Sequence, residues 1–181
     1  ERRPLPLHRI LLPWASPKPN ESLQPGSATI PELVGANWLN GRRVFFSEAA
    51  SCYKCHALRG EGHKVGPDLS NLIHRDYASV LKDLVAPNAA INPDHVAYTV
   101  ELKDGSSLTG VLYSESPDTV LLAQAGVDPI RIPKSRLASF TSSTVSLMPE
   151  GVDQALSERA LKDLMKFLLT PGLEPAPLTT P

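Results

Sequence analysis

The 181-residue chain has only two cysteines and two methionines, so any sulfur chemistry is confined to a few positions. Two cysteines cannot build a disulfide framework, and they fall short of the four ligands of a structural zinc site. Aromatic residues are also scarce, at 6%, which leaves aliphatic side chains to build most of the core. No charge of one sign dominates: 18 Lys and Arg stand against 19 Asp and Glu. No basic stripe or acidic tail interrupts this balance, which argues against nucleic acid as a partner. No run approaches the ~20 apolar residues of a bilayer span, so no membrane span is expected. The opening Glu1 to Pro6 lacks the charged-then-apolar order of a secretory signal.

Proline is plentiful. Many of the 18 prolines crowd the two ends, so 1–33 and 171–181 read as extended segments. Within the first, Ile10, Leu11, Leu12, Pro13 and Trp14 form an apolar patch expected to pack on the body of the domain or on a neighbouring one. The 41% hydrophobic content is enough for one core of ordinary size.

Between the ends the hydrophobic period changes twice. Val34, Trp38, Phe45 and Phe46 sit mostly at helical spacing, which predicts a first helix over 34–46. Tyr77, Val80, Leu81, Leu84 and Val85 form an apolar stripe that Asp76 can cap and Pro87 can close, predicting a second. Ser157 can cap a third that buries Leu161, Leu164, Met165 and Leu168 and stops at Pro171 and Gly172. Between the second and third the period falls to two: Tyr98, Val100 and Leu102 lead into a Lys103-Asp104-Gly105 turn, then Leu108 and Val111. Short runs at 119–123, 129–132 and 137–141, separated by turn residues, bring the count to about five antiparallel strands.

Cys52-Tyr53-Lys54-Cys55-His56 is the most specific signal in the chain, because the C-x-x-C-H pattern is that of c-type haem attachment. One tight turn turns both thiols toward the two vinyl groups on one porphyrin edge and leaves His56 beneath the iron. A backbone carbonyl commonly holds the second imidazole nitrogen of such a ligand, and Pro67 is the candidate. The competing readings are weaker. Zinc lacks a second ligand pair, since His63 and His74 do not complete one. A thioredoxin-type dithiol would follow a strand in a βαβ unit, and a structural disulfide across two residues is strained.

For the other face of the iron the candidate is Met148, in the irregular run Ser146-Leu147-Met148-Pro149-Glu150-Gly151, where Pro149 fixes the backbone. Met165 lies on a helical apolar stripe and reads as core. His63, His74 and His95 read as loop or surface residues, with His95 the alternative ligand because it stands between helix and strands.

Gly41 to Phe46, then Cys52 to His56, then Gly66-Pro67-Asp68-Leu69, then Ser146 to Gly151 and a terminal helix follow the order of a class I cytochrome c, which the chain resembles over about 34–169. With its strand-rich interruption it is similar to the haem-binding domains of planctomycete and verrucomicrobial exported proteins. Those domains often stand at the C-terminal end of larger chains bearing dehydrogenase-like or propeller domains. The resemblance implies that Gly41 and Phe45 cross the last helix near Leu164 and Phe167, and that the Pro67 carbonyl supports His56. It further implies that Met148 is the distal ligand and that the domain works in the periplasm or is otherwise exported.

The expected fold class is therefore mainly α: a cytochrome c core of about three helices around a covalent haem, carrying an inserted antiparallel β subdomain. The expected organisation is an extended segment at 1–33 and core at 34–95. A β insert follows at 96–144, then a distal loop with the last helix at 145–170, and a tail at 171–181. Phe45, Leu69, Leu72, Leu84, Leu164 and Leu168 are the expected apolar walls. The expected cofactor is one haem c bound by Cys52, Cys55, His56, Pro67 and Met148, with His56 and Met148 on the iron. The expected role is one-electron transfer with a redox partner or fused dehydrogenase, and no catalytic residue is assigned. A peroxidase or gas sensor with a labile distal ligand is the alternative. The oligomeric state stays open.

Overall fold

The computed structural model describes residues 30–172. The apolar patch at Ile10 to Trp14 and both proline-rich ends fall outside those residues.

Among the described residues there are four short α-helices: α1 (Trp38–Phe45), α2 (Tyr77–Val85), α3 (Val152–Ala155) and α4 (Glu158–Leu169). Each of the three longer ones starts on a side-chain cap. Asn37 accepts from the Asn40 amide, Asp76 from that of Ser79 and Ser157 from that of Ala160, so one otherwise orphaned donor of each first turn is satisfied. The first helix is shorter than its apolar spacing predicts. Gly35 is left-handed, at φ 78°, and Asn37 is the cap, so helix begins only at Trp38, and Val34 is left exposed.

The same residues form seven strands, two after α1 and five after α2: β1 (Ala57–Leu58), β2 (Glu61–Gly62), β3 (Ala97–Leu102), β4 (Ser107–Glu115), β5 (Thr119–Ala123), β6 (Ile130–Pro133) and β7 (Leu137–Ser142). The first two form a small hairpin whose turn residues, Arg59 and Gly60, both have positive φ. Such a turn matches the right-handed twist of the strands it joins. The other five form one antiparallel sheet in the order β6-β5-β4-β3-β7. Its register pairs Ala97 with Val111 and Tyr98 with Ser142, and a bulge sets Tyr113 out of the ladder between Leu112 and Ser114.

The mainly α expectation is thus corrected. About as many residues lie in strands as in α-helices, and the architecture is mixed, with four short helices beside a five-stranded and a two-stranded sheet. The helical stripes at 77–85 and 157–169 are real but short. β4 alone is nine residues long, longer than its alternating pattern indicated, because a bulge lets the strand continue past the point where alternation breaks.

Three apolar cores follow from this. The largest gathers Phe45, Leu58, Leu72, Val80, Leu84, Leu164, Met165, Phe167 and Leu168. Helices α1 and α4 cross at Gly41, where an added Cβ would stand 1.9 Å from the Asp163 carbonyl oxygen and 2.8 Å from the Phe167 Cβ. Only a residue without a Cβ lets the two backbones come so near. A second lies inside the sheet: Val100, Leu102, Leu122 and Ile132, with Tyr98 stacked on Phe140 at 4.6 Å. A third, small one gathers Val65, Val111 and Ala123.

Candidate functional site

Cys52 to His56 occupy a single turn. Ser51 enters it left-handed at φ 50°, Cys52–Lys54 is a 3-10 turn, and the His56 amide donates to the Cys52 carbonyl at 2.9 Å. Residues after the turn wrap back over it through main-chain bonds. The His63 amide donates to the Tyr53 carbonyl at 2.9 Å, and the amides of Val65 and Gly66 both donate to the Cys55 carbonyl, at 2.9 and 2.7 Å. Backbone alone therefore holds the two cysteines and His56 against the loop that follows.

His56 is oriented from behind. Its Nδ1 lies 2.8 Å from the Pro67 carbonyl oxygen. A carbonyl can only accept, so Nδ1 carries the proton and the lone pair is left on Nε2. The ring lies against Gly66, where a Cβ would stand 2.6 Å from Cε1, 2.9 Å from Nδ1 and 3.1 Å from Nε2. Burial lowers the His56 pKa below its ordinary value and nearby His95 lowers it further, while the Pro67 bond opposes both. The result is a neutral imidazole with one nitrogen anchored and the other presented, which is the form in which histidine binds metals.

Both cysteines are free thiols. Burial pushes the Cys52 thiol up to about 11 and raises that of Cys55 as well. Reactive dithiols and metal thiolates need the opposite shift, so these sulfurs are neutral groups in apolar surroundings. The two face different cores. Cys52 packs on the large helical core, whereas Cys55 packs on a small cluster of Val65 with Val111 and Ala123 of the sheet.

The other candidates divide clearly. Met148 is half-buried and packs on the same large core as Cys52, while its neighbour Leu147 packs on the same small cluster as Cys55. The 146–151 loop thus meets both packing surfaces of the Cys52–His56 turn. Met165 is fully buried core. His74 is exposed, and His63 lines a shallow concavity with Lys64, Tyr113 and Asp128. His95 is anchored through Nδ1 to the Val65 carbonyl at 3.0 Å, one residue from the glycine behind His56, a link that no periodic pattern announces. The Asn88 side chain bonds to both the Ser146 amide and Glu150, a pairing that no periodic pattern announces either.

Two neutral thiols one turn apart and an imidazole anchored through Nδ1 are the donors that a haem c would use. Among the described residues no group of three or more His, Cys, Asp or Glu gathers to hold a bare metal ion. A porphyrin brings four of its own ligands and asks of the protein only axial donors and thiols to bond its edge. Among the described residues no helix is long and apolar enough to cross a membrane. No protein-family model matches the chain, and no curated protein matches it.

Proposed function

We propose that this chain is a c-type cytochrome domain that binds one haem c through Cys52 and Cys55, ligates its iron with His56 and Met148, and transfers one electron at a time. The observation that carries the reading is the anchored imidazole: His56 Nδ1 on the Pro67 carbonyl at 2.8 Å, with the ring backed by Gly66.

When bound, the haem supplies a one-electron iron couple. The Pro67 carbonyl keeps the His56 proton on Nδ1 and makes Nε2 a better donor. Cys52 and Cys55, neutral and partly buried, stand one turn apart as thioether formation requires. Phe45, Leu72, Leu84, Leu164 and Leu168 are nearly inaccessible to water, and Leu69 packs against them. This dry wall limits the reorganisation that accompanies a change of charge. A thioether from Met148 favours the ferrous state relative to a second imidazole, which suits an acceptor of electrons from an upstream oxidation. A redox protein or fused dehydrogenase is the matching donor, and an exported, periplasmic setting suits covalent haem. The near-balanced charge gives nucleic acid no footing.

Production in a host that attaches haem c, followed by weighing of the denatured chain, tests the attachment. A mass increased by one haem is the expected result, and the bare polypeptide mass would overturn it. The reduced protein should also ignore carbon monoxide. Binding would replace the electron-transfer role with the gas- or peroxide-binding alternative.

A further inference from the structure

Met148 sits midway along a loop whose two ends are held by one side chain. The Asn88 Oδ1 accepts from the Ser146 amide at 2.8 Å, and its Nδ2 donates to Glu150 Oε1 at 2.6 Å. The amide's orientation is determined by its partners: a backbone N–H must meet the oxygen, and a carboxylate must meet the nitrogen. Inside this bracket the Met148 amide donates to Ser146 Oγ at 3.1 Å. Pro149 holds its φ by its ring, and Gly151 turns left-handed at φ 80° to start α3.

Asn88 is itself well founded. It follows Pro87, which is buried, and the Ala89 amide donates to the Ala86 carbonyl at 3.0 Å across the turn that closes α2. Helix α2 buries Val80 and Leu84 in the core on which both Cys52 and Met148 pack. The bracket therefore ties the methionine loop to the same body as the attachment turn, independently of the sheet.

We propose that Asn88 is a positioning residue that closes the Ser146–Glu150 loop and so keeps the Met148 thioether at the iron. The proposal rests on the reading of Met148 as the distal ligand. A thioether is a weak ligand for ferric iron, so its retention depends on how rarely the loop swings away. Two exposed hydrogen bonds, one of them to a carboxylate, oppose that swing.

The test uses the full haem-loaded chain in its ferric form, with free imidazole as the competing ligand and the long-wavelength sulfur-to-iron absorption band as the signal. Wild-type protein should show the band. Asn88→Ala should keep the haem and the band but lose the band to imidazole about fivefold faster, the effect of about one net hydrogen bond. Asn88→Asp should be faster still, because two carboxylates then face each other at the Glu150 side. Adding Glu150→Gln to that variant should bring the rate back toward wild type, since the introduced amide donates to the introduced carboxylate. Equal rates in wild type, Asn88→Ala and Asn88→Asp would overturn the proposal, as would a double variant no slower than Asn88→Asp. A wild-type protein without the band would remove Met148 from the iron and the proposal with it, and that failure appears in the unmutated arm alone.

Discussion

The helical half and the sheet half of this molecule are held together in opposite ways. The helical half is joined across long stretches of chain. The Asn37 amide donates to the buried Asp163 carboxylate at 2.6 Å, and the Arg59 guanidinium donates to the Phe167 and Thr170 carbonyls at the end of α4. The sheet is built from consecutive hairpins around its own small core, and β3–β7 is the one pairing that joins its first strand to its last. Local pairing forms with little loop closure, whereas the α1–α4 crossing must wait for nearly the entire chain. The Cys52–His56 turn lies on the boundary, with one thiol on each side. A haem joined to both sulfurs would therefore report on both halves at once.

The largest expected effect breaks the helical side. Gly41→Ala places a methyl within covalent range of the Asp163 carbonyl, and relief requires α1 and α4 to move apart. A loss on the order of 4 kcal/mol is expected from such overpacking against backbone, read by urea denaturation. In the apoprotein, alkylation of Cys52 should quicken while Cys55 keeps its rate.

Leu122→Ala is the mirror experiment. Leu122 is fully buried in the sheet core, so its truncation leaves a cavity costing about 3 kcal/mol. Because Cys55 leans on Ala123 and Val111, its alkylation should now quicken and that of Cys52 should not. If both thiols respond alike to both substitutions, Cys52 and Cys55 do not lean on separate halves and the turn belongs to one continuous body.

The same contrast explains what could be read from residues alone. Asp76 and Ser157 announce helices because a cap and an apolar stripe are local, and the alternation at 98–102 announces a strand for the same reason. Cys52 to His56 is a motif whose chemistry is contained within five residues, and Pro67 lies close enough behind it to be named. The balance between helix and sheet was not legible. Short stripes suggested a helical body, whereas Gly35 and Asn37 cut the first helix short and the bulge at Tyr113 lengthened β4. Nor was the bracket from Asn88 to Glu150, 62 residues away, or the bond from His95 to Val65. Single polar pairs between distant loops leave no period in the sequence, and they bear on the loops around the candidate ligands.

The weakest response should come from the turn between β3 and β4, on the sheet side. Asp104 accepts from both the hydroxyl and the amide of Ser106 and pairs with Arg136 at 2.8 Å. Together these hold its carboxyl at about 2, the Ser106 hydroxyl contributing most and Arg136 less. A carboxylate depressed in the folded state adds stability that is complete above its unfolded value of about 4 and is lost as pH falls through about 2. The group is fully exposed, so its share is small. Ser106→Ala should raise the Asp104 titration midpoint more than Arg136→Ala, as followed by carboxyl chemical shift. Neither change should reach the His56 ring or the alkylation rate of Cys52, because the turn belongs to the sheet's own local network. A shift at Cys52 from so distant and local a change would mean that the halves communicate through more than the attachment turn.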